Sequence, residues 1–411
     1  MILAARSAPR AAERRAVAAI AFAALAVFAD TYITQPLLPM LGSEYGVSPA
    51  VAGLTISAVV FAMALASSAY GPLGDVLGRK PVMVAGCALL ALATFACALA
   101  PDIRTLVLLR ALQGLLVPSI SAVAVAYLGA LGGKRDIGSL VGIYIGATVS
   151  GGLVGRVGSG IIAGAWSWRA SFVTYGVVTS LAAFALALAL RDRPRPRGTS
   201  IGRAFTDAYG AMWRHVGNVR LLGGFLAGAA LFFGFIGVFT YLPYLLTAPP
   251  FSLATDTVAF FYTAYVAGIF TAPLAGRLSR CFPRRAIVAV GFLLALAGLG
   301  LTAIPSLWAI VPGIVVLCIG MFAAQAVVPA YVNVTARVAK GGANALYQAF
   351  YYVGAVLGST LPGLGWEWFG WPGVLATCGT SMVLGLVAFL ALARDVPETA
   401  EAVVRIPAPE M

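Results

Sequence analysis

Three ionisable residues, Asp30, Arg110 and Arg156, lie inside stretches of chain that are otherwise apolar. A charge at the centre of a membrane-spanning helix costs about 2.5 to 3.5 kcal/mol on insertion scales, so such residues face a polar interior and serve a purpose. Two kinds of chemistry suit this set. A buried carboxylate can take up and release a proton, with its titration governed by desolvation against nearby guanidinium groups, and can thereby couple proton movement to another event. A guanidinium left over once the acid is balanced can grip a carboxylate or similar anion through its planar fork. Asp30 and Arg110 are the candidates for proton coupling, and Arg156 is the candidate for substrate binding. A static ion pair that fixes helix packing is a third reading, and all three stay open at this level.

Depth follows from the helical rise. Asp30 precedes Pro39 by nine residues and Arg156 precedes Ala165 by nine, which at 1.5 Å per residue places each roughly 14 Å from the outer boundary of its span. Arg110 enters about 8 Å, and its long side chain extends that reach.

The elements that must hold these residues are set by composition. A chain of 411 residues that is 61% hydrophobic and 10% charged cannot bury so much apolar surface in one water-soluble core. Runs of about 20 apolar residues, the length needed to cross roughly 30 Å of hydrocarbon, predict helical spans. Their predicted bounds are 16–40, 50–70, 81–100, 105–131, 137–165, 170–190, 221–247, 256–276, 286–304, 308–332, 343–365 and 371–392, spans 1 to 12 in order. Continuous apolar runs rather than alternation exclude an outer-membrane barrel. The predicted fold class is therefore an all-α integral membrane protein of twelve transmembrane helices in two pseudo-symmetric six-helix bundles. The expected division is 1–190 for the first bundle, 191–220 for a cytoplasmic linker, 221–392 for the second bundle and 393–411 for a cytoplasmic tail.

A net charge of +13 would suggest nucleic acid in a soluble protein, but here its placement decides. With the N-terminus inside, all of the 27 Lys and Arg residues except Arg104, Arg169, Arg110 and Arg156 fall in the N-terminal segment, the inner loops, the linker or the tail. That bias predicts both termini in the cytoplasm and no nucleic-acid partner. Arg14 and Arg15 before an apolar run resemble a secretion signal, yet removing it would invert the bias, so the run is read as span 1. The five cysteines are scattered without a CxxC pair, so no disulfide framework, metal site or cofactor is expected. His215 reads as a solvated linker residue. Phe205, Ala208, Tyr209 and Met212 share one helical face that could lie along the membrane surface, and a plain linker is an equal alternative.

Two stretches repeat. GPLGDVLGRKPVMVAG (71–86) and GRLSRCFPRRAIVAVG (276–291) agree at Gly71/Gly276, Leu73/Leu278, Arg79/Arg284, Lys80/Arg285 and Gly86/Gly291, an offset of 205. An equal offset across two sets of six spans indicates a parallel internal repeat. The first copy, placed in the loop between spans 2 and 3, resembles the G-x-L-x-D-x-x-G-R-[KR] signature of the major facilitator superfamily. Arg110, Gln113 and Gly114 resemble that family's R-x-x-Q-G in span 4. The opening of span 1, TYITQPLLPMLGSEYGVSPA, resembles the drug and sugar exporter branches. Gly155 and Arg156 in span 5, and ALYQAFYYVGAVLGS in span 11, resemble a bacterial inner-membrane exporter group.

The resemblance implies secondary transport by alternating access, with spans 1 and 4 lining a central cavity and span 5 flanking it. It also implies that Gly71, Asp75, Gly78, Arg79 and Lys80 form a conformational latch in which Asp75 faces the N-terminus of span 11. A carboxylate is favoured at a helix N-terminus by about 0.3 to 1 kcal/mol. The second copy carries Arg280 and Pro283 at the Asp and Gly positions, so the latch role is not extended to it.

The reading that follows is proton-coupled export of small organic molecules by a monomer in the lipid bilayer of the bacterial inner membrane. Its alternatives are uptake or exchange of an organic anion bound by intramembrane Arg, and a transporter-like sensor or scaffold. No enzyme is expected, because no Walker lysine loop, metal cluster or activated nucleophile is present. Further substrate contacts are assigned to Gln113, Tyr32, Gln35, Phe233, Tyr241, Gln325, Tyr347 and Gln348. Span 5 carries Gly138, Gly142 and Gly146 four apart, a smooth face that lets a neighbouring helix approach. Span 5 has no Gly-Pro pair, which departs from the drug/proton antiporter branch. Trp166, Trp168, Trp366, Trp368 and Trp371 read as an interfacial aromatic belt.

Overall fold

A computed structural model describes residues 2–131, 137–191, 206, 210, 212–336 and 339–393. The predicted amphipathic face at 205–212 and the basic residues at 134–135, 394 and 405 lie wholly or mostly outside the described residues. Eleven helical segments among the described residues are long and apolar enough to cross a membrane. The helix Lys340–Phe369 is of equal length, but Asn344, Tyr347, Gln348, Tyr351 and Tyr352 lower its mean hydropathy. The protein is thus all-α, with twelve membrane-spanning helices. An even number of crossings puts the start of span 1 and the end of span 12 on one face of the bundle, the termini face.

Spans 1 to 6 pack among themselves through the pairs 1 with 5, 1 with 6, 2 with 4 and 3 with 6, and spans 7 to 12 through 7 with 11, 7 with 12, 8 with 10 and 9 with 10. The two sets meet where span 2 lies along span 11, span 5 along the start of span 8, and span 1 along span 7. The side-chain hydrogen bonds that join spans 1 and 2 to spans 7 and 11 lie in the half of the bundle away from the termini. Ser57 hydroxyl contacts Ser359 and Thr360 at 2.7 Å each, and Tyr244 of span 7 donates to the Leu38 carbonyl of span 1 at 3.0 Å. Gln35 donates to Thr240 at 3.1 Å, and these two residues are 205 apart, so the repeat offset brings equivalent positions together at the axis between the two sets. Toward the termini face the sets part. A cavity of about 390 Å³ lies there, lined by Ser67 and Ser68 of span 2, Ser121 of span 4, Gln348 and Tyr352 of span 11, and Met212.

Several spans depart from their predicted bounds for local reasons. Span 1 is a broken helix that runs through Ile2–Thr31, a tight turn Gln35–Leu37 and a short helix Leu38–Tyr45. Pro36 has no N–H to give the Tyr32 carbonyl, and the turn closes instead with three-residue bonds from Gln35 to Tyr32 and from Leu37 to Thr34. Span 2 continues as helix over Pro49–Leu77, so most of the signature motif is helical rather than loop. The turn into span 3 is the single residue Gly78 at φ +97°, a conformation open to glycine. The second repeat has Pro283 at this position, which cannot adopt positive φ, and its turn widens to residues 279–283. Asp102 caps span 4 by accepting from the Thr105 N–H at 2.8 Å, and that backbone donation holds its carboxyl below the usual range.

Two expectations change on packing grounds. Trp166 and Trp368 are exposed as a belt requires, but Trp168 and Trp371 are buried, where their indoles donate to Glu44 and to the Thr302 carbonyl. His215 is 4% exposed, with Nε2 3.2 Å from the Ala339 carbonyl just before span 11, and is not solvated.

Candidate functional site

The break in span 1 frees the Thr31 carbonyl from the helical ladder and leaves the Asp30 carbonyl only a long bond from the Ile33 N–H at 3.5 Å, and a buried carbonyl left without a donor costs about 1 to 3 kcal/mol. Arg110 supplies the donors. Its Nη1 gives to the Asp30 carbonyl at 3.0 Å and to Gln113 Oε1 at 2.7 Å, its Nη2 to the Thr31 carbonyl, and its Nε to the Thr55 carbonyl of span 2 at 3.2 Å. The guanidinium is fully buried and its fork is consumed in tying spans 1, 2 and 4 together. Asp30 and Arg110 therefore come together through the backbone of Asp30, not through its carboxylate.

The Asp30 carboxylate has neutral partners. Gln113 Nε2 donates to Oδ1 at 3.1 Å, and the Thr94 hydroxyl lies 2.5 Å from Oδ2. Thr94 also lies 2.8 Å from the Leu90 carbonyl and accepts from Gln113 at 2.7 Å. A hydroxyl carries one proton. An ionised Asp30 takes that proton from Thr94, whereas a protonated Asp30 can give its own proton to Thr94 and release the hydroxyl toward Leu90. Both charge states thus find partners without any movement of a helix. Thr94 was not legible as a site residue, since one Thr in an apolar span is common.

Arg156 is held differently. Its Nε donates to Gln35 Oε1 and its Nη1 to the Gly152 carbonyl, each at 2.6 Å. Aromatic rings enclose it, with its central carbon 3.7 Å from the Tyr32 ring, 4.6 Å from Tyr265 and 5.9 Å from Tyr262. No carboxylate of the described residues lies within ion-pair distance of this guanidinium, although it is only 2% exposed. Cation–π contacts contribute about 0.5 to 2 kcal/mol each, against a desolvation cost of several kcal/mol for the buried ion. Tyr262 and Tyr265 come from span 8, in a tight turn Phe261–Tyr265 between the helices Thr255–Phe260 and Val266–Leu278. No charge or motif flagged them in the sequence.

The remaining predicted contacts divide. Gln325 Nε2 donates to Tyr351, leaving Gln325 Oε1 without a partner, and the buried hydroxyl of Tyr347 beside it is also without one. Gln348 lines the cavity on the termini face. Tyr241 instead staples span 7 to span 11 in the sealed half, at the position where Gly53 of span 2 comes close. Phe233 lines a separate groove between spans 7, 11 and 12, because adjacent helical residues point about 100° apart. Its neighbour Phe232 faces inward and stacks on Tyr351 at 3.8 Å. Of the motif residues, Asp75 pairs with Arg79 at 3.2 Å, and Arg79 also donates to the Ala126 carbonyl of span 4 at 2.7 Å. Gly71 has open space around it, Gly78 makes the turn, and Lys80 is half-buried in the first turn of span 3.

The family model of the Major Facilitator Superfamily matches residues 20–340 and 251–409. The chain belongs to that superfamily. It is 30% identical to the inner membrane transport protein YnfM of Escherichia coli (strain K12) over 374 residues, which covers 91% of this chain and 89% of that protein. It is 29% identical to the uncharacterized MFS-type transporter YybF of Bacillus subtilis (strain 168) over 371 residues, covering 90% and 91%. Among solved structures, a bacterial homolog of the human lysosomal transporter Spinster, in an inward-facing and unoccupied conformation, superposes with a TM-score of 0.76 at 17% identity, over 93% of this chain and 95% of that one. A D-xylose-proton symporter superposes with a TM-score of 0.75 at 16% identity, over 92% and 98%. These likenesses establish the fold of a superfamily transporter.

Proposed function

We propose that this superfamily transporter exports small organic molecules across the bacterial inner membrane in exchange for protons, working as a monomer with both termini in the cytoplasm. The observation that carries the proposal is Asp30, a fully buried carboxylate at the joint of a broken helix whose partners accommodate both of its charge states. A proton carrier needs such a group, and a carboxylate locked in a salt bridge would not serve. Arg110 is the positioning residue that fixes the joint, with Gln113 linking its guanidinium to the carboxylate. Cytoplasmic termini put the 390 Å³ cavity on the inside and the sealed half outside, which is the inward-facing state of an alternating-access cycle. The inward-facing conformation of the Spinster homolog and the proton coupling of the D-xylose-proton symporter support that state and that coupling. Asp75 pairs with Arg79 across the Gly78 turn, which suits a latch released in this state. Export rather than uptake is supported by the exporter-like opening of span 1.

The test uses the full chain in proteoliposomes with an enclosed pH dye, challenged with a panel of organic anions, cations and neutral amphiphiles. Wild type should move protons with at least one class, and Asp30→Asn, inserted at wild-type level, should not. Equal pH-dependent flux in that variant would exclude Asp30 as the carrier.

A further inference from the structure

We propose that the substrate is a small organic monoanion, a carboxylate on a planar apolar body, whose charge sits on Arg156 at the seam between the two sets of six spans. The proposal rests on the transporter reading above and names the substrate class of that transporter.

Charge argues first. The one acid buried nearby, Asp30, is occupied by Thr94 and Gln113, and Arg110 is occupied by carbonyls. Arg156 is left as a buried cation held only by neutral acceptors and ring faces, and an entering carboxylate supplies what the protein does not. Two further observations point to a ligand. The hydroxyl of Tyr265, whose ring lies against Arg156, is buried without a hydrogen-bond partner, and so is that of Thr34, next to the Gln35 that holds the guanidinium. The guanidinium together with the unpartnered Tyr265 hydroxyl makes a donor set for one carboxylate, while a cation would meet an uncompensated like charge. Tyr32, Tyr262 and Tyr265 enclose the place with rings, which suits a flat apolar body and makes Tyr262 and Tyr265 the residues that limit its size.

Tyr352 lines the cavity on the termini face, and its ring lies 6.0 Å from that of its buried neighbour Tyr351 in span 11. Gln35 joins the site to Thr240 across the seam, and the span 8 tyrosines belong to the other set of spans, so a bound anion touches both moving units.

The experiment is thermal unfolding of the full detergent-purified chain with benzoate, other aryl and short alkyl carboxylates, benzamide and tetraphenylphosphonium. A ligand that binds only the folded state raises its unfolding temperature. Benzoate or another carboxylate of the panel should stabilise wild type, and benzamide and tetraphenylphosphonium should not. Arg156→Gln should abolish the shift, and Arg156→Lys should weaken the apparent affinity at least tenfold by losing the fork. Tyr265→Phe should weaken it severalfold while unfolding at the wild-type temperature without ligand, which keeps the test valid if Arg156→Gln does not fold. Asp30→Asn, which keeps Arg156 and Tyr265, should still be stabilised by benzoate even if its affinity shifts, so a failure of proton coupling is distinguishable from a failure of anion binding. Stabilisation by tetraphenylphosphonium or benzamide that persists in Arg156→Lys and Tyr265→Phe, or no shift from any carboxylate, overturns the proposal.

Discussion

Arg110 and Arg156 are one residue type at nearly equal burial, and their partners assign them opposite uses. Arg110 donates to three backbone carbonyls in two spans and to Gln113, and its removal takes a donor from each of these buried acceptors. At about 1 to 3 kcal/mol for each orphaned group, Arg110→Ala should lose several kcal/mol of stability. Arg156→Ala also frees Gln35 Oε1, but it removes a buried charge that lacks a counter-ion, so its net cost should be much smaller. Thermal unfolding of the two purified variants checks this, and a lower unfolding temperature for Arg156→Ala than for Arg110→Ala would reverse the assignment. The sequence exposes the three intramembrane charges without ambiguity because each is costly in lipid. It does not expose which guanidinium is saturated, because that depends on the carbonyls freed by a helix break.

At the scale of the helix, span 5 shows what its glycines do. A Cβ at Gly151 would lie 2.3 Å from the Leu25 carbonyl oxygen of span 1, and one at Gly155 would lie 2.2 Å from that of Ala29. Further out, Gly160 and Gly164 rest on Ala259 and Asp256 of span 8, whereas Gly142 and Gly146 face open space. The four-residue spacing thus announces a smooth surface correctly but not where it is in use, since the inner glycines belong to the half in which the two sets of spans have parted. Gly155→Ala must push backbone against backbone beside Asp30, and overpacking of this kind costs about 1 to 3 kcal/mol. Gly142→Ala meets nothing and should gain up to about 1 kcal/mol of helix propensity. Unfolding temperatures of the pair should move in opposite directions. The span count and the repeat were legible because apolar length and the motif offset are properties of the chain alone. The Tyr262 and Tyr265 wall was not, because it exists only where span 8 of one set meets span 5 of the other.

Across the whole molecule, the seal on one face and the cavity on the other define a state that must invert for transport. Ser57 touches Ser359 at 2.7 Å, so a disulfide between Ser57→Cys and Ser359→Cys, in a background lacking the native cysteines, should halt flux until it is reduced. Transport that continues in the oxidised protein would mean that this seam does not open. Charge then decides what drives the cycle. Outward movement of a monoanion in exchange for an entering proton shifts two charges in the direction favoured by an inside-negative potential. Each charge contributes about 2.3 kcal/mol per 100 mV, so one-for-one exchange gains about 4.6 kcal/mol, on the order of a thousandfold in gradient. Anion and proton moving together would cancel and gain nothing. In proteoliposomes clamped with potassium and valinomycin, benzoate export should therefore steepen with an inside-negative potential at fixed pH. Flux that ignores the potential but follows the pH gradient would instead make the protein a symporter working in the uptake direction, with Asp30 and Arg156 loaded and emptied together.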